Sequence, residues 1–217
     1  MKNLKKNNNE LIILGGYGVG MIAASIAKNY YNFKEIYFLN DEILTNIGVY
    51  KKYKIIGKTT KLKFLLKKRK YLFFNAIVDY KNLEKHENKN VIPSSKKITL
   101  IHPDVNYFKD TVKIAKNVLI SSNVTMSTDV KIESGVKIMS NVFIGHNTII
   151  KKNSFIAAGA TIGGNVVLGK NSFIGLNSTV IENCKIGENS ILGAGAVLTK
   201  NIKNKEVFFG NPAKKYK

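Results

Sequence analysis

Histidine is the side chain best suited to proton transfer near neutral pH, and the 217-residue chain contains three. His86 lies in a polar, lysine-rich loop, so we expect a surface residue. His102 precedes a proline where the chain passes between two predicted domains, so we expect a structural role. His146 follows Ile144, which is predicted to face inward, in the turn Gly145-His146-Asn147. Core packing does not explain this position, and the residues alone leave two alternatives: a surface histidine or a general base.

A glycine-rich turn is the second feature that could bind a ligand. The apolar run from Leu11 to Leu14 predicts a buried strand, and residues 21–31 predict a helix. The turn Gly15-Gly16-Tyr17-Gly18-Val19-Gly20 joins them, but Met21 replaces the third glycine of the dinucleotide fingerprint. We therefore expect no NAD site. A strand, a glycine turn and a helix N-terminus still suit the phosphates of another nucleotide, and a tight structural turn is the alternative.

Further strands and helices follow this turn. Residues 35–39, 71–78 and 98–101 predict three more strands, and residues 58–68 predict a helix with an apolar face. Alternation of strands and helices favours a small parallel α/β domain. Asp41 comes just after the second strand, where such folds place a residue that contacts a ribose. A loop acid without a ligand is the alternative for Asp41.

A six-residue repeat organises the rest of the chain. From Ile114 to Leu198, fifteen consecutive positions spaced by six are large and apolar, and the residue two places before each is small or β-branched. Two inward positions two residues apart indicate a short strand, and Gly, Asn, Lys and Glu cluster between strands, as in turns. Three strands and three turns make one eighteen-residue coil, so fifteen repeats predict about five coils.

Composition narrows the class of protein. The formal net charge of +21 could indicate nucleic-acid binding, but Arg69 is the only arginine, so we expect no nucleic-acid partner. We expect a solvated lysine surface, and steering of polyphosphate ligands is the alternative. No apolar run is long enough to span a membrane, and no secretion signal precedes the first domain. The single cysteine, Cys184, lies in the small inward column, so we expect a structural thiol and a reducing, cytoplasmic location.

An α/β domain, hexapeptide coils, a histidine in an early turn and the ending Phe209-Gly210-Asn211-Pro212-Ala213-Lys214 occur together in this chain. In this combination it resembles the bacterial nucleotide-sugar acetyltransferases of the hexapeptide-repeat family, the PglD/NeuD-like enzymes. The resemblance implies a Rossmann-like domain followed by a left-handed parallel β-helix. It also implies a homotrimer that binds acetyl-CoA between subunits, a nucleotide-linked amino sugar as substrate, and no metal. The expected organisation is a disordered tail (residues 1–9), the α/β domain (10–101), the β-helix (102–199) and a C-terminal cap (200–217).

The resemblance assigns catalytic residues by position. His146 matches the general base, and Gly164 matches a backbone N–H donor aimed at the thioester oxygen. Asn147 stands where a carboxylate often follows the base. An asparagine can accept the ring N–H through its amide oxygen but carries no charge, so we expect a weaker base than in relatives with Asp or Glu.

Binding residues are assigned in the same way. The glycine turn would hold the diphosphate side of the substrate, and Asn40 and Asp41 match two acids that hold the nucleoside. Val78 replaces a glycine that approaches the nucleotide. On the cofactor side, Leu176 and Ala194 match positions that line the pantetheine channel. Phe155 stands where some members have a second histidine, and Pro212 and Lys214 belong to the terminal motif. The complete set assigned to binding is Gly15, Gly16, Tyr17, Gly18, Asn40, Asp41 and Val78 for the substrate, and Phe155, Gly164, Leu176, Ala194, Pro212 and Lys214 for the cofactor.

The reaction implied is acetyl transfer from acetyl-CoA to the amino group of a UDP- or dTDP-linked deoxy-amino sugar. Two other functions stay open on the same fold: O-acetylation of a sugar hydroxyl, and a non-catalytic β-helix scaffold that binds only a nucleotide. His146 together with the terminal Gly-Asn-Pro-Ala-Lys motif argues against the scaffold.

Overall fold

The computed structural model describes residues 9–16, 18–41, 53–78 and 92–216. The chain forms two compact units, residues 1–100 and residues 101–217. Apart from Asn9, the tail expected to be disordered lies outside the described residues. Within the described ranges, no helix is both long enough and apolar enough to cross a membrane.

The first unit is a parallel sheet with helices. Its strands are β1 (Glu10–Leu14), β2 (Ile36–Leu39), β3 (Lys54–Gly57) and β4 (Tyr71–Asn75), and their spatial order is β3-β2-β1-β4. The central β1 is apolar on both faces, and its residues from Leu11 to Leu14 are fully buried. Helix α1 (Val19–Tyr30) follows the glycine turn and buries an alanine-rich face. The expected small parallel α/β arrangement is confirmed.

Two segments of the first unit differ from expectation. β3 is a strand that the sequence did not indicate, because its residues lie on the sheet edge and are largely exposed rather than alternating. The strand expected at residues 98–101 is divided. Ile98 donates its N–H to Phe73 O at 3.1 Å, whereas Leu100–Ile101 form β5, which joins the end of a different sheet. The helix expected at 58–68 is a 3₁₀ turn, Thr59–Lys61, followed by α2 (Leu62–Leu66).

The second unit is a parallel β-helix with three walls, named here A, B and C in the order in which the chain visits them. Wall A contains β5 (Leu100–Ile101), β8 (Leu119–Ile120), β11 (Lys137–Ile138), β14 (Phe155–Ile156), β17 (Phe173–Ile174), β20 (Ile191–Leu192), β22 (Val207–Phe209) and the antiparallel β23 (Lys214–Lys215). Wall B contains β6 (Asn106–Tyr107), β9 (Thr125–Met126), β12 (Phe143–Ile144), β15 (Thr161–Ile162), β18 (Thr179–Val180) and β21 (Val197–Leu198). Wall C contains β7 (Lys113–Ile114), β10 (Lys131–Ile132), β13 (Ile149–Ile150), β16 (Val167–Leu168) and β19 (Lys185–Ile186).

The helix is longer than the five coils expected. Wall A alone has seven parallel strands. The added levels lie where the repeat loses its phase, since Tyr107 and Ile114 are seven residues apart rather than six. At the other end Leu192 pairs with Phe208, sixteen residues on, although a regular coil takes eighteen. A strict six-residue period that starts at Ile114 therefore does not identify the coils at either end.

The interior confirms the two columns of the repeat. The large residues from Ile120 to Leu198 are buried in one continuous core. The small column includes buried hydroxyls that donate to nearby carbonyls; Ser154, for example, donates to Lys151 O at 2.8 Å and to Gly169 O at 2.9 Å. Cys184 occupies the same column, and burial raises the pKa of its thiol. A thiol held protonated in this way is a poor nucleophile.

Asparagine occupies the left-handed position in most turns of the β-helix. Ten turn asparagines have φ between 52° and 64°, a region that Asn tolerates better than most residues. Several donate from one coil to the next, forming ladders with an eighteen-residue spacing: Asn123 to Asn141, Asn147 to Asn165, Asn153 to Asn171 and Asn171 to Asn189. We call these the asparagine ladders. They fix the orientation of each turn relative to the next.

Candidate functional site

His146 lies in the turn between β12 on wall B and β13 on wall C. The preceding Ile144 points into the core and is fully buried, and Gly145 closes the strand with an N–H bond to Ile162 O at 2.8 Å. The second turn position therefore projects outward, and the His146 side chain is exposed. An exposed imidazole on a rigid wall is positioned for proton transfer with a bound molecule.

Gly164 occupies the same turn position one coil later, and the His146 ring rests against it. A Cβ atom on Gly164 would lie 2.6 Å from Nε2 and 2.7 Å from Cε1 of His146. Only glycine leaves room for the ring in this position. No acceptor for the Gly164 N–H is found among the residues that the structure describes. A base and a backbone donor are therefore side by side, a combination that can remove a proton and stabilise an oxyanion.

Asn147 contacts the other ring nitrogen of His146. Its Nδ2 lies 3.3 Å from His146 Nδ1 and also donates to Asn165 Oδ1 at 3.2 Å. The sequence led us to expect the amide oxygen of Asn147 at this position, but the ladder places the amide nitrogen there. With a donor facing Nδ1, the neutral ring carries its proton on Nε2. Proton acceptance by Nε2 requires the reverse tautomer, and hence a reversed Asn147 amide.

The glycine turn lies at the carboxyl end of β1. Gly15 has φ 86°, its N–H donates to Leu39 O at 3.0 Å, and an added Cβ would lie 3.0 Å from Ile77 Cγ1. The turn therefore packs against the segment that follows β4. Gly18 (φ 52°) precedes α1, whose first turn has neither a capping side chain nor an acid. Such a helix start can receive an anion. Tyr17 lies outside the described residues.

The other predicted substrate residues follow β2 and β4. Asn40 donates its N–H to Gly57 O at 3.0 Å, and Val78 is half-buried. The Asp41 carboxylate accepts from the Thr59 N–H at 2.7 Å and from its hydroxyl at 2.8 and 2.9 Å. Asp41 therefore ties the end of β2 to the 3₁₀ turn, a structural contact that the sequence did not indicate. Adjacent parallel strands bring all these segments to one sheet edge.

The predicted cofactor residues other than Gly164 lie away from His146 on the β-helix. Leu176 and Ala194 occupy equivalent positions in the turns from wall A to wall B, and both are exposed. Phe155 points outward from wall A, where its ring stacks on Phe173 with 5.3 Å between centroids. Pro212 and Lys214 are exposed near the C-terminus. Gly164 lies beside His146, but within one chain Leu176 and Ala194 lie at the opposite edge of wall B and are not brought together with it.

Three contacts at these sites were not predicted from the sequence. Phe209 lies so close to Gly193 that a Cβ there would overlap the ring, and it is exposed beside Ala194. Asn147 donates a hydrogen bond to Asn165, and Thr59 donates one to Asp41. The eighteen-residue spacing could have identified Asn165. No local pattern links Thr59 to Asp41. In the described ranges, no three His, Cys, Asp or Glu residues are grouped to hold a metal ion.

Residues 129–164 and 165–200 match the bacterial transferase hexapeptide (six repeats) family. This part of the chain is a hexapeptide-repeat β-helix. No curated protein sequence matches the chain.

Several solved structures share the whole fold. The acetyltransferase domain of PglB from Neisseria gonorrhoeae, in complex with acetyl coenzyme A, is 24% identical with a TM-score of 0.85, covering 96% of this chain and 100% of that one. PerB from Caulobacter crescentus, in complex with CoA and GDP-perosamine, is 20% identical with a TM-score of 0.80, covering 96% and 98%. WeeI from Acinetobacter baumannii is 19% identical with a TM-score of 0.78, covering 95% and 99%. The resemblance expected from the sequence is confirmed for the fold.

The tautomer of His146 is open to direct measurement. ¹⁵N NMR of the full chain should show the neutral His146 ring protonated at Nε2, because the Asn147 amide nitrogen faces Nδ1. In Asn147→Asp the carboxylate can only accept, so the proton should move to Nδ1. The backbone accommodates this change, since Asp129 has φ 60° in the equivalent turn one coil earlier.

His146→Ala assigns the resonances, and Asn183→Asp, two coils further along the same corner, is the matched control for charge. Identical His146 spectra in wild type and Asn147→Asp would show that the residue at position 147 does not set the tautomer.

Proposed function

We propose that the chain transfers an acetyl group from acetyl-CoA to the amino group of a nucleotide-linked deoxy-amino sugar. The observation that carries the proposal is the exposed His146 ring resting on the Gly164 backbone in a rigid β-helix turn. Two structures of the same fold are complexes with acetyl coenzyme A or with CoA and GDP-perosamine, which supports this choice of co-substrate and substrate class.

The chemistry follows from two groups. A sugar amine is partly protonated near neutral pH. It becomes a nucleophile when His146, with its ring proton on Nδ1 and the Asn147 amide reversed, removes a proton at Nε2 as the amine attacks the thioester carbonyl. The Gly164 N–H donates to the oxygen of the tetrahedral intermediate, a contribution of about 3 kcal/mol in comparable sites. Collapse of the intermediate releases the CoA thiolate, which is a good leaving group, and leaves the amide on the sugar. The His146 proton then passes to solvent or to the thiolate.

The first unit would hold the nucleotide. Gly16, Gly18 and the uncapped start of α1 would supply backbone N–H groups for the diphosphate, since the Gly15 N–H is already bonded to Leu39 O. Asn40 and Asp41 follow the neighbouring strand, with Asp41 already bonded to Thr59, so Asp41 would reach a ribose only with its remaining acceptor capacity. Three nucleotides are candidates for the substrate. UDP and dTDP are expected from the sequence, and GDP is included because PerB binds GDP-perosamine.

The cofactor would lie between chains of a homotrimer. His146 and the pair Leu176 and Ala194 occupy opposite edges of wall B, so one cofactor that touches both sets would take them from neighbouring subunits. The later part of wall A supports such packing, because its outward residues are apolar and half-buried: Phe155, Phe173, Ile191 and Val207. The outward Leu119 and Lys137 of the earlier coils are already buried within the chain. Lys137 donates to Gly135 O at 2.8 Å and to Asn117 O at 3.2 Å, so this lysine is already bonded within the wall.

The proposed activity is tested by incubating the chain with acetyl-CoA and UDP-, dTDP- and GDP-linked amino and hydroxy sugars, with products read by mass spectrometry. We expect acetylation of an amino sugar, and a fall in kcat of about 10² to 10⁴ in His146→Ala with little change in acetyl-CoA affinity. Acetylation of hydroxy sugars alone would identify an O-acetyltransferase. Tight calorimetric binding of NAD without any nucleotide-sugar binding would reassign the first unit.

Gly164→Ala tests the contact beneath the base. The added Cβ would meet His146 Nε2 and Cε1, so the ring must move, and we expect kcat to fall about 10²-fold with unchanged thermal stability. The double variant with His146→Ala should be no slower than His146→Ala alone, since the ring is what Gly164 positions. Additive losses would show that Gly164 acts independently of His146.

Light scattering should give about three times the 24.2 kDa mass of one chain. Phe173→Asp places a charge in the apolar column of wall A and should yield monomers with little activity, because the cofactor residues of two chains no longer meet. Thr161→Asp makes the same change on exposed wall B and serves as the control. An active monomer at micromolar concentration would remove the trimer from the proposal.

A further inference from the structure

The first unit carries a dense cationic surface that the proposed reaction does not use. We propose that residues 58–70, here called the basic segment, bind the surface of an anionic lipid bilayer, with Phe64 entering the interface. The proposal rests on an exposed aromatic ring set among lysines beside an apolar groove.

The positive charge of the chain is concentrated in this segment. Residues 58–70 contain seven cationic side chains and no acid, whereas residues 101–200 contain ten lysines and six acids. A general lysine bias would spread the charge along the chain in proportion to length, and it does not. All seven cationic side chains of the basic segment are exposed. A cluster of this size is typical of segments that bind anionic lipid.

The fold of the segment presents an apolar group among these charges. The 3₁₀ turn and α2 bury Leu62 and Leu65 against the sheet, which leaves Phe64 62% exposed on the outer side. The Nζ of Lys68 lies 5.1 Å from the centre of the Phe64 ring. Phe64 therefore lies outside the buried core, with a lysine against its ring. This arrangement matches the surface of proteins that lie at a membrane interface.

A groove next to Phe64 extends the apolar surface. It has a volume of about 520 Å³ and is lined by Tyr37, Ile56, Lys61, Phe64, Leu65 and Tyr71. Lys70 lies beside it, 4.8 Å from the Tyr71 ring and paired with Glu10 at 2.9 Å. The carboxylate of Glu10 is thus already paired with a lysine. Apolar side chains at the centre and lysines at the rim complement a bilayer surface with anionic headgroups.

A bilayer fits this surface better than a nucleic acid. The segment contains one arginine, Arg69, and six lysines, and lysine binds phosphate as a point charge rather than bidentately. The groove includes three aromatic rings, but its lining is mainly apolar with a single lysine, whereas single-stranded nucleic acid requires a cationic track that follows its backbone. Partition of Phe64 into the interface would add apolar burial to the electrostatic attraction.

The test is co-sedimentation of the full chain with vesicles of phosphatidylglycerol and phosphatidylcholine in equal parts, compared with phosphatidylcholine alone. We expect binding to the anionic vesicles only, weakening as salt is raised above about 0.1 M. Lys63→Glu with Lys67→Glu should lower the partition coefficient at least about tenfold. The matched control is Lys113→Glu with Lys131→Glu, which makes the same charge change at exposed sites on wall C.

A second pair of variants separates apolar insertion from charge. Phe64→Ser should lower the partition coefficient about tenfold, whereas Phe108→Ser should not, although Phe108 is 56% exposed in the β-helix. Thermal unfolding checks that each variant is folded. Equal binding to both kinds of vesicle, equal losses in the two charge-reversed pairs, or binding to single-stranded RNA but not to vesicles would overturn the proposal.

Discussion

The structure depends on the in-register stacking of eighteen-residue coils. Backbone hydrogen bonds join successive coils at each strand and at many turns. The Gly145 N–H donates to Ile162 O in the next coil, and the Asn165 N–H donates back to His146 O in the preceding coil. Each turn position is thereby fixed above its counterpart one coil later. The contact of His146 with Gly164 and that of Asn147 with Asn165 are both consequences of this stacking. The candidate site needs no special loop, since two residues at the correct spacing suffice.

Stacking also places two competing requirements on the side chain next to His146. The turn needs a left-handed residue, and asparagine supplies it while donating along the ladder. The same amide nitrogen then faces His146 Nδ1 and favours the tautomer that lacks a free Nε2. A carboxylate would satisfy the histidine but would place two acceptors face to face unless the Asn165 amide reversed. The asparagine ladder and the tautomer that frees Nε2 therefore require opposite orientations of the Asn147 amide.

The sequence predicted what depends on a period and missed what depends on contacts between distant segments. Two inward columns predicted the β-helix and its core, and an unbroken apolar strand before glycines predicted the α/β unit. The end coils were missed because a seven-residue step at Tyr107–Ile114 and a sixteen-residue step to Phe208 break the period. β3 was missed because an exposed edge strand need not alternate. The bonds of Asp41 to Thr59 and the orientation of the Asn147 amide follow from tertiary packing, which no local pattern encodes.

The geometry of a three-walled helix also limits what one chain can do. Each wall is a sheet of very short strands, most of them two residues long. The corner on one side of wall B carries His146, and the corner on the other side carries Leu176 and Ala194. These corners cannot approach each other, because the packed core between the walls is continuous. A base on one corner and a cofactor channel on another can serve one reaction only if a second copy supplies one of them. Under the proposed function, association through the apolar residues of wall A would supply that second copy, and the rigidity of the β-helix would require it.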